Sequence, residues 1–236
     1  MAWWFQLKKE RVTLQDLLVA NLDPMFVENL LSDIRFCYKE SVSHWVESPI
    51  LGEPEIRSLT PYLRRCLVEK HFRDRAVEVG HTATVEKTET DSAEYSVVRA
   101  NGIELTISKT DGPAALPVAS RFREQRSDAN GLLQQGQLFP VSVDAEDRSR
   151  ITYAIITHGP RVGNPSEVGH ICIGFPNPTL DGWAEPPVAL VEILERMVLN
   201  RETNAVVEPE RKTVQPKLKP GVVGKAPNRS RTEGKR

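Results

Sequence analysis

Cysteine is scarce: Cys37, Cys66 and Cys172 are the only three in 236 residues, scattered and without a CxxC pair. That excludes a disulfide framework and a cysteine-built zinc site, and it suits a reducing cytosol. Long apolar runs are missing too. Nothing approaches the roughly 18 residues of a membrane span, and mean hydropathy is -0.37. The N-terminal MAWWFQLKKE places its apolar residues before its basic ones, the reverse of a secretory signal. A cytoplasmic chain with no membrane partner is therefore expected. No GxGxxG and no P-loop occurs, so no nucleotide cofactor is expected. There is no GxSxG for a nucleophile elbow. A nuclease of the PD-(D/E)xK kind needs Glu-x-Lys on a strand to hold Mg²⁺ near a phosphate. Asp91, Glu104 and Lys109 are suggestive, but that spacing is absent, and no metal is expected.

What is present is a segregation of charge. The chain holds 31 Lys+Arg against 32 Asp+Glu, yet nine of the basic residues fall after Ala205 against only three acidic ones. Residues 205–236 contain four prolines and no aromatic residue, so they cannot bury enough apolar surface to offset their ordering entropy. A disordered basic tail is expected there. Its Arg211, Lys212, Lys217 and Lys219 are candidates for tracking phosphates of a nucleic acid, for docking on an acidic protein, or simply for solubility.

The first third reads as helix. Thr13 and Asp16 form a capping-box pattern, and Asp23-Pro24 is a second start signal. Val27, Leu30, Leu31, Ile34, Cys37 or Tyr38, Val42 and Trp45 then recur at helical spacing. Thr60-Pro61 restarts a helix with an expected stripe of Leu63, Cys66, Leu67 and Lys70, and Arg64, Arg65, Arg73 and Arg75 on its other faces. After Gly80 the period changes to two. Asn101-Gly102 is a type I′ hairpin signal between Tyr95–Ala100 and Ile103–Lys109. Ile103, Leu105 and Ile107 should face a core, with Glu104, Thr106 and Ser108 facing water. Val118 to Arg126 reads as a short helix and Ser127 to Gly136 as loop. Ile151–Thr157 and His170–Phe175 read as strands flanking a long loop, HGPRVGNPSEVGH, and Pro186-Pro187 opens a last helix. The class is α+β: N-terminal helices over 1–80, an α+β region with an antiparallel sheet and a closing helix over 81–204, then the tail over 205–236.

Two groups of residues could carry chemistry. His158 and His170 bracket the long loop and could approach across a hairpin, to share a proton or hold a metal that would still lack a third ligand. Arg121, Arg123 and Arg126 fall within six residues, ahead of Asn130 and Gln135. Guanidinium groups at that density suit phosphate or carboxylate. They could equally form the solvated end of a helix. Gln135, Leu138 and Phe139 resemble the Gln-x-x-Leu-Phe peptide with which bacterial repair and replication proteins dock on the sliding clamp. The same three could instead anchor the loop to the core.

The order Phe122, Arg126, Asn130, Leu138-Phe139-Pro140, then Tyr153, a Gly/Pro-rich hairpin and Gly174-Phe175-Pro176, resembles a family of uncharacterised bacterial proteins over residues 95–200. These are encoded beside helix-turn-helix and zinc-peptidase regulators of the ImmA/IrrE type, in toxin–antitoxin-like or mobile-element loci. The resemblance implies one half of a regulatory or defence pair. The His-Glu-x-x-His of the peptidase is absent, so this chain would be the partner. The expectation is thus a protein-binding component with a regulatory protein as its partner and nucleic acid as a second ligand. Its rivals are a metal-independent RNase using Arg121, Arg123, His158 and His170, a clamp-docking DNA-associated protein, and a purely structural domain. The oligomeric state is not legible.

Overall fold

Capping chemistry starts the helices where the sequence marks them. The Thr13 hydroxyl accepts from the Asp16 backbone N–H at 3.2 Å, and the Asp16 carboxylate accepts from the Thr13 N–H at 2.8 Å. This closes the expected capping box at α1 (Leu14–Asn21). The Asp23 carboxylate accepts from Met25 N–H at 2.7 Å and opens α2 (Pro24–Glu47). The computed structural model describes residues 13–47, 58–88, 93–131 and 152–207, except the side chains of 44–47 and 204–207. Gln135, Leu138, Phe139, Asp91, the His44 side chain and residues 208–236 with Arg211, Lys212, Lys217 and Lys219 lie outside what is so described, whereas 205–207, expected as the start of the tail, continue the last helix.

The α2 stripe holds as far as Tyr38, with Phe26, Val27, Leu30, Leu31, Ile34, and both Cys37 and Tyr38, buried; Val42 is half-buried, and the Trp45 side chain is outside those described. The stripe of α3 (Thr60–Glu78) differs from expectation. Its buried residues are Arg64, Val68, Phe72 and Ala76, while Cys66 is exposed. The strict four-residue spacing of that set brings Phe72 against Phe26, ring centroids 6.0 Å apart, and turns the helix away from the predicted face. Arg64, expected in solvent, lies against the Tyr38 ring instead.

The sheet contains β1 (Thr82–Lys87), β2 (Glu94–Ala100), β3 (Ile103–Lys109), β4 (Thr152–Arg161), β5 (Asn164–Gly174) and the short β6 (Val188–Ala189), in that spatial order. Asn101 and Gly102 both have positive φ (45° and 90°), as the predicted type I′ turn requires. The sheet is antiparallel at four interfaces and parallel at one, between β3 and β4. The parallel pair follows from the crossover through α4 (Arg121–Ser127) and a 3₁₀ turn (Asp128–Asn130), because a parallel partner cannot be reached by a tight turn. A second difference concerns the expected long loop. HGPRVGNPSEVGH is largely strand: β4 and β5 extend to Arg161 and Asn164, and only Val162-Gly163 turn. The class is α+β, with helices before the first strand and after the last along the chain.

Helices α1, α2, α3 and α5 (Leu190–Val207) cover one face, packing a single apolar core on Val98, Ala100, Ile103, Leu105, Ile107, Ala154, Ile156 and Ile173. The expected inward face of β3 is therefore correct. Its expected outward face is not: Glu104 and Thr106 are buried, at 7% and 2% exposure. They sit under α4, which the crossover lays on that side of the sheet. Tyr153, Ile155, Leu180 and Trp183 form a second, smaller apolar cluster there.

Candidate functional site

The sequence-predicted histidines belong to opposite faces of the sheet. His158 pairs with Ile171 across β4–β5 and points toward the helices, where its Nδ1 lies 2.9 Å from the Tyr38 hydroxyl. His170 pairs with Gly159 and packs over it on the other face, so a side chain at 159 would collide with the His170 ring and the Thr110 carbonyl. The Thr110 hydroxyl donates to the Gly112 carbonyl at 3.1 Å, so its lone pair accepts the His170 Nε2–H at 2.9 Å. The two imidazoles thus face away from each other.

His158 is sealed. Burial, followed by the positive charge of Arg64, the His170 ring and Lys109, depresses its pKa to about 3. Tyr38 is shifted the other way: burial pushes it to about 12 against the pull of Arg64. Tyr38 therefore keeps its proton and donates it to a neutral His158. The Arg64 guanidinium covers the Tyr38 ring at 4.2 Å, donates to Ser41 Oγ at 3.1 Å and to the Pro165 carbonyl at 2.7 Å. Four elements (α2, α3, β4 and β5) are joined through these polar contacts.

On the opposite face α4 sorts the three arginines. Arg121 is exposed. Arg126 contacts the Glu104 carboxylate through Nε and donates to Glu86 at 2.6 Å. Arg99 donates to the same two carboxylates at 3.0 and 3.2 Å, closing a ring of four charges across β1, β2, β3 and α4. Burial works against ionisation of Glu86, but the hydrogen bonds and charges of Arg126 and Arg99 outweigh it and hold the carboxyl below its usual range. Arg123 turns inward and donates to the Val118 carbonyl at 2.7 Å and to Ser108 Oγ at 3.1 Å. The expected row of arginines is thus divided into an exposed one, a paired one and an inward one.

Three features were not legible beforehand. Asn130 is fully buried and bonds the Tyr153 carbonyl, the Pro176 carbonyl and the Tyr153 N–H at 2.8, 2.8 and 2.9 Å, fixing the end of the crossover. Thr157, also fully buried, has a hydroxyl with no partner among the described residues. The β4–β5 hairpin projects beyond the sheet as an arm, because β3 ends at Lys109 and β6 pairs only with Cys172 and Ile173. The available signal for the first two was the apolar run Tyr153–Ile156, which is the mark of a strand covered on both faces.

Among the described residues, concavities open to solvent include the following two. One, of about 540 Å³, lies where α1, α2, the end of α3, the β2–β3 turn and α5 meet, and is lined by Asp16, Asp23, His81, Asn101 and Arg201 among others. The other, of about 370 Å³, runs between Asp111 and the arm residues 160–165. Among the described residues, no group of three or more His, Cys, Asp or Glu is placed to hold a metal ion. None of the described helices is long and apolar enough to cross a membrane. Compared with protein-family models, curated proteins and solved structures, the chain matches none of them.

Proposed function

We propose that this chain is the protein-binding component of a regulatory or defence pair, and that the β4–β5 arm is the element that meets the regulatory partner. The observation that carries the reading is the arm itself. Val162 at its tip is 99% exposed, an apolar side chain held out into solvent by two strands. The arm is braced close to its turn: Arg64 donates to the Pro165 carbonyl from within the core, and Arg161 pairs with Glu167 across the strands at 2.9 Å. A pre-ordered projection loses little conformational entropy on binding. Pro160 and Pro165 remove two backbone donors from the arm, which disfavours edge-to-edge strand addition. Recognition then falls to side chains: Val162 as the apolar contact, and Arg161 and Asp111 as the charged rim of the adjoining groove. The separation of His158 from His170 gives no support to a proton relay between them.

The test is binding to the protein encoded beside this chain's own gene, measured for wild type, Val162→Asp and Arg161→Glu. Val162→Asp is expected to weaken the complex by about tenfold or more, the loss typical of a desolvated interface anchor. Arg161→Glu should slow association, with an effect that fades at high salt. Unchanged affinity in both variants contradicts the arm as the binding element.

A further inference from the structure

On the α4 face, hydrogen-bond donors outnumber acceptors around one guanidinium. Arg123 makes two hydrogen bonds, to a backbone carbonyl and to Ser108 Oγ, and its Nε–H is buried without a partner. Among the described residues no carboxylate forms an ion pair with it, Glu69 acting only from a distance, in contrast to neighbouring Arg126, which has two. Ser108 accepts from Arg123, and among the described residues its own proton meets no acceptor. Directly across the β3–β4 ladder from Ser108 is Thr157, fully buried, with an unpartnered hydroxyl. Beyond Thr157 the next residue in the row is Cys172, a thiol whose pKa burial raises, so it too carries its proton. The row Ser108–Thr157–Cys172 thus presents protons, a positive charge stands over one end of it, and no described residue receives the Ser108 and Thr157 protons.

Burying a cation and polar hydrogens without acceptors is costly, and folded proteins rarely leave such groups unpaired. A guanidinium with adjacent hydroxyl donors is the chemistry that recognises an oxyanion. We infer that Arg123, Ser108 and Thr157 form a binding site for a phosphate group of a small molecule. Phosphate suits the site better than a carboxylate because donors on three separate side chains need an acceptor with oxygens on more than one edge. Arg123 and Ser108 are the partly exposed members and the side from which the anion is reached, with Thr157 behind them. This site is on the other face of the sheet from the Arg64 brace and does not depend on the arm's role.

The experiment is a thermal melt and calorimetric titration of the full chain with inorganic phosphate, against chloride and acetate at matched ionic strength. Phosphate is expected to raise the melting temperature with single-site saturation, by about 5 °C at a hundredfold excess over Kd. Thr157→Val should melt at the wild-type temperature or above it without phosphate, since it removes an unpaired buried hydroxyl. The same variant should bind phosphate about tenfold more weakly, and Arg123→Met should not bind it. If Arg123→Met fails to fold, Thr157→Val decides alone. A rise matched by chloride overturns the site, and so does phosphate affinity unchanged in Thr157→Val. A rise matched by acetate overturns the phosphate assignment.

Discussion

The two faces of the sheet use polar residues in opposite ways. On the helix face most polar groups are joined in short sets beside the apolar core: Tyr38 with His158, Arg64 with Ser41 and a carbonyl, Asp33 with His71 and Arg75, while the buried His81 Nε2 has no partner among the described residues. On the α4 face charge is plentiful and organised as a ring, Glu86 and Glu104 alternating with Arg99 and Arg126. Beside that ring the pairing stops, at Arg123 and Thr157. Stability belongs mainly to the first face, where area is buried, and the capacity to receive a ligand to the second.

Substitutions on each face should separate these roles, beginning with the largest effect. Phe72→Ala empties a fully buried site against Phe26 and should cost about 4 kcal/mol in urea unfolding. A cost near 1 kcal/mol means that the helix face can collapse around the gap, and the contrast between the faces weakens. Arg126→Met leaves Glu104 buried with only Arg99 to offset it, and should cost about 2 to 3 kcal/mol at neutral pH.

The pH dependence of the Arg126→Met variant sharpens the point. A carboxyl held below its ordinary value, such as Glu86, contributes stability above pH 4.5 that is lost as pH falls through the folded value. Removing Arg126 shrinks that shift, so the variant should lose less stability than wild type on acidification below about 4.5. An acid limb as steep as that of wild type removes the ring as its cause. Gly159→Ala forces a methyl between the His170 ring and the Thr110 carbonyl and should cost about 2 kcal/mol by melting. Smallest of all, Val162→Asp should change stability by less than about 0.5 kcal/mol, because the residue touches nothing that holds the fold.

Much of the helix face could be read from sequence and little of the α4 face could. Thr13–Asp16, Asp23-Pro24 and Asn101-Gly102 act locally, through caps and a turn whose chemistry lies within a few residues. The apolar period of α2 and the alternation Ile103, Leu105, Ile107 are also local patterns. The parallel β3–β4 pair is not, because it depends on where a crossover returns, and with it went the burial of Glu104 and Thr106. The same limit applied to the candidate site. His158 and His170 are 12 residues apart in a hairpin, but pairing with Ile171 and Gly159 respectively puts them on opposite faces. The three arginines within six residues are separated by helical rotation, and Arg64 reads as a surface residue because its destination, Tyr38, is on another helix.

The separation of the faces depends most directly on the state of His158. Its fold favours the neutral ring, so the unfolded chain takes up a proton below about 6.5 that the folded one accepts only near pH 3. Stability should therefore fall steadily as pH drops through that interval. An NMR titration of the five histidine rings measures the group itself. The expected result is a His158 ring that stays neutral, with Nδ1 as the acceptor of the Tyr38 proton, down to the onset of acid unfolding. A His158 midpoint near 6.5 in the folded protein contradicts a sealed helix face.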